Sequence, residues 1–146
     1  MCRILIVDDE QEVRDTLTRR LEREGHAVES AASQEEGATK IREAPRPYDV
    51  VLTDMLMEDE DSGIAILREA MARDLFTEVI VLTAYGNVTN AVECMKRGAF
   101  DYVEKNIPGV DVFDLIVLKI DQAMDRRRQA ATTLRRLEDF QRATQE

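Results

Sequence analysis

The chain has 146 residues, 44% of them apolar, and a formal net charge of −10 at pH 7. This length and composition are typical of one globular domain and exclude a disordered or fibrous protein. The negative charge argues against direct binding to nucleic acid, because a phosphate backbone would be repelled. No apolar run approaches the length of a membrane span and the N-terminus has no signal-peptide layout, so we expect a cytoplasmic location without membrane binding. Cys2 and Cys94 are expected to be free thiols.

Apolar, β-branched runs predict the strands of a parallel sheet, because they suit strands that are covered on both faces. A segment that alternates more, from His26 to Ser30, predicts an outer strand. The four apolar runs extend from Arg3 to Val7, from Asp49 to Thr53, from Glu78 to Thr83 and, more briefly, from Asp101 to Lys105.

Apolar residues at three- and four-residue spacing between these runs predict five helices. Gly25 ends the first helix, Ser33 caps the second and Gly98 closes the fourth. The fifth helix begins near Val110 and continues far toward the C-terminus. The strict alternation of strand and helix predicts a doubly wound α/β fold with a five-stranded parallel sheet.

Polar residues follow or end several predicted strands, at the sheet edge where open parallel sheets bind ligands. Taken singly, each has an ordinary explanation as a helix cap, a strand residue or a solvated lysine. Because these residues all lie at the carboxyl ends of predicted parallel strands, we favour the interpretation that they form one shared site. Carboxylates that meet in a cleft need a proton or a cation, and oxygen ligands select a hard ion such as Mg²⁺. An amine and a hydroxyl beside them suit phosphoryl transfer with a carboxylate as nucleophile. The residues are Asp8, Asp9, Asp54, Thr83 and Lys105.

At these positions the sequence resembles a known family. The segments "ILIVDDE", "VVLTDMLM", "VIVLTAYG" and "GAFDYVEK" are similar, in this order, to the motifs of the CheY-like receiver domain of two-component response regulators. The resemblance is closest to receivers that precede the σ54-activating ATPase domains of NtrC-type regulators. It covers about residues 1–124 and implies the strand order 2-1-3-4-5.

The resemblance also implies a role for each acid at the edge of the sheet. Asp54 would accept a phosphoryl group from a sensor histidine kinase. Asp8, Asp9, Asp54 and the backbone carbonyl of Leu56 would bind Mg²⁺. Such a chain would catalyse only its own phosphoryl transfer and dephosphorylation, so it would be a signalling protein rather than an enzyme.

Three further residues complete the implied switch. Thr83 and Lys105 would contact the phosphoryl group, and Tyr102 would turn inward when Thr83 moves. On the residues alone, Tyr102 reads as half-buried core. The implied result of phosphorylation is a changed surface at the fourth helix, fifth strand and fifth helix, which would control an output domain or a partner.

The chain departs from the family pattern at two places. Glu58 stands where most receivers have proline, and Gly63 comes one residue late, so the loop after Asp54 is longer and acidic. Asn106 follows Lys105 where a proline after a cis bond is usual. A cis bond before a non-proline residue costs about 2.5–4 kcal/mol, which favours a trans bond here.

Three residues near Asp54 and Thr83 are predicted to tune the site. The acidic loop either is a solvated turn, which is the simpler reading, or lets Glu58 or Asp59 reach the metal pocket, where the acid would tighten Mg²⁺ binding and oppose phosphate. In the family, the positions of Leu56 and Tyr85 control the access of water to the acyl phosphate. Both are bulky here, which predicts slow self-dephosphorylation.

Residues 125–146 are predicted to be a helical extension beyond the receiver. Its seam is too weak for a long coiled coil alone and fits a dimerising helix, a linker to an ATPase or DNA-binding output domain outside this chain, or a solvated tail. The charged Arg127 interrupts an otherwise apolar 4-3 alternation, whose members are Ile116, Ile120, Ala123, Arg127, Ala130, Leu134 and Leu137.

Two other functions remain open on the sequence. An aspartate-nucleophile phosphatase would need a second acid two positions after Asp54, and Leu56 occupies that position. A receiver-like scaffold that dimerises without phosphorylation is compatible with the unusual loops. Turnover of small phosphate esters favours the first, and failure of a phosphodonor with Mg²⁺ to modify Asp54 favours the second.

Overall fold

The computed structural model describes residues 2–59, 61–84 and 88–145. In this part of the chain, strands and helices alternate strictly, as the periodicity predicts. Among the described residues no helix is both long and apolar enough to cross a membrane. The elements are β1 Arg3–Val7, α1 Gln11–Arg23, β2 Ala27–Ala31, α2 Gln34–Glu43, β3 Val50–Asp54, α3 Ser62–Arg73, β4 Glu78–Thr83, α4 Val88–Lys96, β5 Asp101–Glu104 and α5 Val112–Gln145.

The five strands form one parallel sheet in the order β2-β1-β3-β4-β5, so the predicted fold class and strand order are confirmed. Successive strand residues face opposite sides of the sheet, which therefore carries an apolar cluster on each face. One cluster includes Ile6 and Leu52 and packs against α1 and α5. The other includes Leu5 and Val51 and packs against α2, α3 and α4.

Local side-chain chemistry explains where the helices begin and end. The Oγ of Ser33 accepts a hydrogen bond from the Glu36 N–H (3.1 Å), so the predicted cap of α2 is present. Gly25 and Gly98 follow α1 and α4 with positive φ angles of 93° and 108°, a conformation that glycine adopts without steric cost.

The fifth helix begins two residues later than predicted. Asp111 caps it, because its Oδ1 accepts hydrogen bonds from the N–H groups of Phe113 (3.0 Å) and Asp114 (3.4 Å). The helix then continues without interruption to Gln145. Its first part packs on the sheet, whereas its second part lies beyond the sheet edge.

Candidate functional site

The predicted polar side chains meet at the carboxyl edge of the sheet. β1 and β3 are neighbours, with Val7 beside Thr53, so the residues that end or follow them lie side by side. Asp8 is fully buried and Asp54 is 5% exposed. Parallel pairing thus brings together two carboxylates that are 46 positions apart in the sequence.

Lys105 connects these carboxylates. It follows β5, and its Nζ lies 3.0 Å from Oδ2 of Asp54 and 3.1 Å from Oδ2 of Asp8. A third acid, Glu10, places its Oε1 at 3.5 Å from the same Nζ. The ammonium group therefore takes the central position among three acids, which offsets their mutual repulsion.

Burial and these charges shift the pKa values of the site in the same direction. Burial raises the pKa of Asp54 to about 6, with Asp8 adding to the rise, while Lys105 opposes it. Burial also raises the pKa of Asp8, against the hydrogen bond from Glu10 and the charge of Lys105. Burial alone would lower the pKa of Lys105, but the two aspartates outweigh it and the pKa is raised. The amine is therefore held in its charged form.

Three consecutive acids form a second part of the site at the end of β1. Asp8, Asp9 and Glu10 each have one carboxylate oxygen that lies within 4.8 Å of the other two. The Glu10 N–H donates a hydrogen bond to Oδ1 of Asp8 (2.8 Å), which turns the chain back and brings Glu10 toward the other two. An all-oxygen cluster beside a buried carboxylate fits a hard divalent cation.

Glu10 was not among the site residues predicted from the sequence. Asp54, which is predicted to be a metal ligand, is connected to Asp8 and Glu10 through the Lys105 ammonium group. The third letter of "DDE" is the sequence signal for Glu10. A residue at a helix start reads equally well as a helix cap, so only the turn geometry distinguishes the two roles.

The remaining predicted residues lie around the same edge. Thr83 ends β4 next to Glu104, is fully buried, and donates a hydrogen bond from its Oγ1 to the Ala84 carbonyl (3.3 Å). Tyr102 lies in β5 and is half-buried against the cluster on the α2, α3 and α4 face. The Leu56 N–H donates to Oδ1 of Asp54 (3.4 Å). Tyr85 lies outside the described residues.

The loop after Asp54 is closed by backbone contacts despite its extra residue. Gly63 donates its N–H to the Met55 carbonyl (3.0 Å), and a Cβ added to it would lie 2.9 Å from the Met55 Cα. Gly63, although displaced by one position relative to the family pattern, thus allows a close approach that no other residue would. The described residues contain no cis peptide bond, so the bond between Lys105 and Asn106 is trans, as predicted.

Glu58 has a partner away from the Lys105 cluster. Its Oε2 accepts a hydrogen bond from the N–H of Gln34 (3.3 Å), the first residue of α2. A carboxylate is favourable there because the first backbone N–H groups of a helix have no partner within the helix. The contact ties the loop after β3 to α2.

We therefore expect Glu58→Ala to leave the Mg²⁺ affinity within about twofold of the wild type. An exposed charge that is directed to another helix contributes little at the metal. The measurement is a calorimetric Mg²⁺ titration, with Asp9→Asn as the positive control. Removal of a ligating carboxylate should weaken binding at least about tenfold, on the scale of 1.4 kcal/mol. Weakening by Glu58→Ala to the same extent would place Glu58 in the metal pocket.

Comparison with known proteins assigns the family. Residues 4–117 match the family described as response regulator receiver domain. The chain belongs to this family. The predicted family is thus confirmed, and NtrC-type regulators are among its relatives.

Individual relatives agree with this assignment. The acid tolerance regulatory protein ActR of Rhizobium meliloti (strain 1021) is 36% identical over 114 residues, which are 78% of this chain and 57% of ActR. The regulatory protein AtoC of Escherichia coli (strain K12) is 38% identical over 128 residues, which are 87% of this chain and 27% of AtoC. The chain therefore spans little more than half of the length of ActR and about a quarter of the length of AtoC.

A solved receiver supports the fold independently. The crystal structure of a response regulator receiver domain protein from Clostridium thermocellum is 35% identical and has a TM-score of 0.77. The match covers 89% of this chain and 99% of that one. The receiver fold therefore accounts for most of the chain.

Proposed function

We propose that this receiver is a phosphorylation switch in which Asp54 is the phosphoacceptor. The contact of the Lys105 ammonium with Asp54 and Asp8 is the main observation that supports the proposal. Asp54 is the one carboxylate of the edge that ends a central strand, where it is almost completely buried. A nucleophile in such a position is held in one orientation and protected from bulk water.

The neighbouring side chains supply what phosphoryl transfer needs. Lys105 would move from the carboxylate to an oxygen of the phosphoryl group and neutralise part of its charge. The Thr83 hydroxyl would move to donate a hydrogen bond to a second phosphoryl oxygen. The Tyr102 side chain would then turn inward, into the space beside α4. Phosphorylation would thereby change the surface of α4, β5 and α5.

Mg²⁺ is the cofactor that the acids of the site fit best. Asp8 and Asp9 would be its ligands, together with Asp54, the Leu56 carbonyl and, on the present geometry, Glu10. The ion would neutralise negative charge that the phosphoryl group adds to an already acidic edge. Receivers generally bind Mg²⁺ in an acidic pocket, and the cluster of three acids fits that use.

The phosphodonor in the cell would be a sensor histidine kinase, and the output would be a domain or partner beyond this chain. Residues 125–146 would carry the signal as a linker or a dimerising helix, because Leu134, Leu137 and Phe140 are 42%, 57% and 67% exposed on it. The chain itself would be a signalling protein whose only chemistry is its own phosphorylation and dephosphorylation. A cytoplasmic location remains a prediction.

The proposal is tested by intact mass after incubation with acetyl phosphate. We expect one added phosphoryl group in the presence of Mg²⁺ and none in the presence of EDTA. Asp9→Asn should slow the modification, and Asp59→Asn, a change of the same type at an exposed acid, should not. If the wild type is never modified, the dimerising scaffold is the better description. Release of phosphate from small esters at many turnovers would instead indicate a phosphatase.

The lifetime of the phosphorylated form is a separate prediction. Leu56 lies two residues after Asp54 and is 46% exposed beside the site. An apolar side chain there cannot position a water for attack, so we expect a half-life of many minutes. Decay is measured by intact mass after removal of the phosphodonor, and Leu56→Asn should shorten it. A half-life of seconds in the wild type would contradict the prediction.

A further inference from the structure

Arg127 interrupts the apolar seam of α5, and the structure shows what it contacts. Its Nε lies 2.8 Å from Oδ1 of Asp49, and its Nη2 lies 3.2 Å from Oδ2 of Asp74. The Arg127 side chain is only 21% exposed, although it belongs to the charged part of the helix. A seam position that is unsuitable for a coiled coil is thus used for contacts within the chain.

The two partners of Arg127 flank the two elements that adjoin the loop after Asp54. Asp49 directly precedes β3, which ends at Asp54, and Asp74 is the C-cap of α3, which follows the loop after Asp54. Asp49 is itself fixed, because its Oδ2 accepts a hydrogen bond from the N–H of Arg3 (2.8 Å). One guanidinium group therefore joins β3, α3 and α5 at the edge of the sheet opposite to the site.

The preceding residue strengthens this attachment. Arg126 places its Nε 2.9 Å from Oε2 of Glu78, the first residue of β4, and its guanidinium lies 5.1 Å from the centre of the Phe100 ring. The two arginines together pair with three acids at the sheet edge opposite to the site and offset two of their three negative charges; the acids are Asp49, Asp74 and Glu78. Without them, these carboxylates would repel one another in a partly buried setting.

Beyond this point α5 is mostly exposed, although Phe76, which follows α3, lines a pocket together with Ala131, Leu134 and Glu138 of the helix. Residues 128–144 are exposed except for the half-buried Ala130. Arg128 pairs with Asp125 on its own helix. A helix without tertiary packing has little stability in water. We therefore expect fraying of α5 to start where its attachment to the receiver ends.

We propose that Arg127 is a latch that holds the exit of α5 against β3 and α3, so that the firmly attached part of the helix extends through Arg127 and does not end at Met124. The latch goes beyond the proposed function and does not depend on phosphorylation. It sets the position and direction from which the free helix starts. A domain or partner held by the free helix would then have a fixed orientation relative to the receiver. That orientation would depend on β3 and α3, not on α4 and β5.

Hydrogen exchange of the full chain without phosphodonor or Mg²⁺ tests the latch. In a helix the N–H groups of residues 127–131 donate to the carbonyls of residues 123–127, so they report on the attached end. We expect Arg127→Gln to increase their exchange about tenfold, as the loss of a charge-assisted hydrogen bond implies. Exchange in residues 116–122 should not change. Arg128→Gln is the matched control, with the same change of charge at the next residue. Loss of its pair with Asp125 on the same helix should change exchange by about twofold at most.

A double-mutant comparison separates the latch from a general loss of stability. Asp74→Asn should increase exchange in the same five residues, by less than Arg127→Gln because the contact with Asp49 remains. Adding Asp74→Asn to Arg127→Gln should change exchange little beyond Arg127→Gln alone. Equal exchange in Arg127→Gln and Arg128→Gln would overturn the proposal. Fully additive effects of the two substitutions would overturn it as well, because the residues would then act independently.

Discussion

Lys105→Met should slow phosphorylation by acetyl phosphate about 100-fold or more. Removal of one positioned donor to a developing phosphoryl charge typically costs 10²–10³-fold. Without the amine, the pKa of Asp54 should also rise above about 6, since the positive charge of Lys105 would no longer oppose burial and Asp8. Less of the nucleophile would then be ionised at neutral pH. Intact mass against time, at saturating phosphodonor and Mg²⁺, measures the effect.

Lys119→Met is the matched control for this experiment. Lys119 is also paired with an aspartate, since its Nζ lies 2.6 Å from Oδ2 of Asp101, but this pair lies on β5 and α5 outside the acidic site. The Lys119→Met variant should be phosphorylated at the wild-type rate. If Lys105→Met retained a rate within threefold of the wild type, Lys105 would have only a structural role.

Asp54→Asn should be more stable than the wild type at pH 7.5 in EDTA, by about 1–3 kcal/mol. Burial raises the pKa of Asp54 from 3.8 to about 6, and each unit corresponds to about 1.4 kcal/mol. Between these two pH values the unfolded state loses its proton first, so the stability of the wild type falls as pH rises and stays low above pH 6. Asparagine has no such penalty. The advantage should therefore shrink between pH 6 and pH 4 and vanish below pH 4.

Urea unfolding at several pH values measures this difference. Asp59→Asn, which removes the same charge from an exposed acid, should change stability by less than about 0.5 kcal/mol at every pH. A wild type more stable than Asp54→Asn at pH 7.5 would mean that Lys105 outweighs burial at Asp54. The electrostatic description of the site would then be wrong.

The fold and the meeting point of the site could be predicted because both follow from periodic patterns. Apolar strand runs ending in Asp8 and Asp54 place two carboxylates at one edge once the sheet is parallel. Lys105 followed from the same reasoning, and its contacts with both acids agree with it. The end of a strand has two signals in the sequence: an apolar run ends there, and a charged residue follows.

Three features could not be predicted, because they depend on where a side chain turns. Glu10 joins the acids through a local hydrogen bond to Asp8 that composition does not reveal. Glu58 lies within hydrogen-bond distance of α2, a helix that is far from it in the sequence. Arg127 looked like a defect in a helical seam, and its partners lie 78 and 53 positions away. A long charged side chain can reach several possible partners, and which of them it contacts depends on the tertiary structure.

The central claim is that the phosphoryl group is transferred to Asp54, and chemical trapping tests it most directly. After reaction with acetyl phosphate and Mg²⁺, borohydride reduces the acyl phosphate to an alcohol and releases phosphate, which converts the modified aspartate to homoserine. Peptide mass spectrometry then locates the homoserine. We predict homoserine at position 54 alone in the wild type and at no position in Asp54→Asn. Homoserine at position 8 or 9, or none in a protein that gains the phosphoryl mass, would contradict the account.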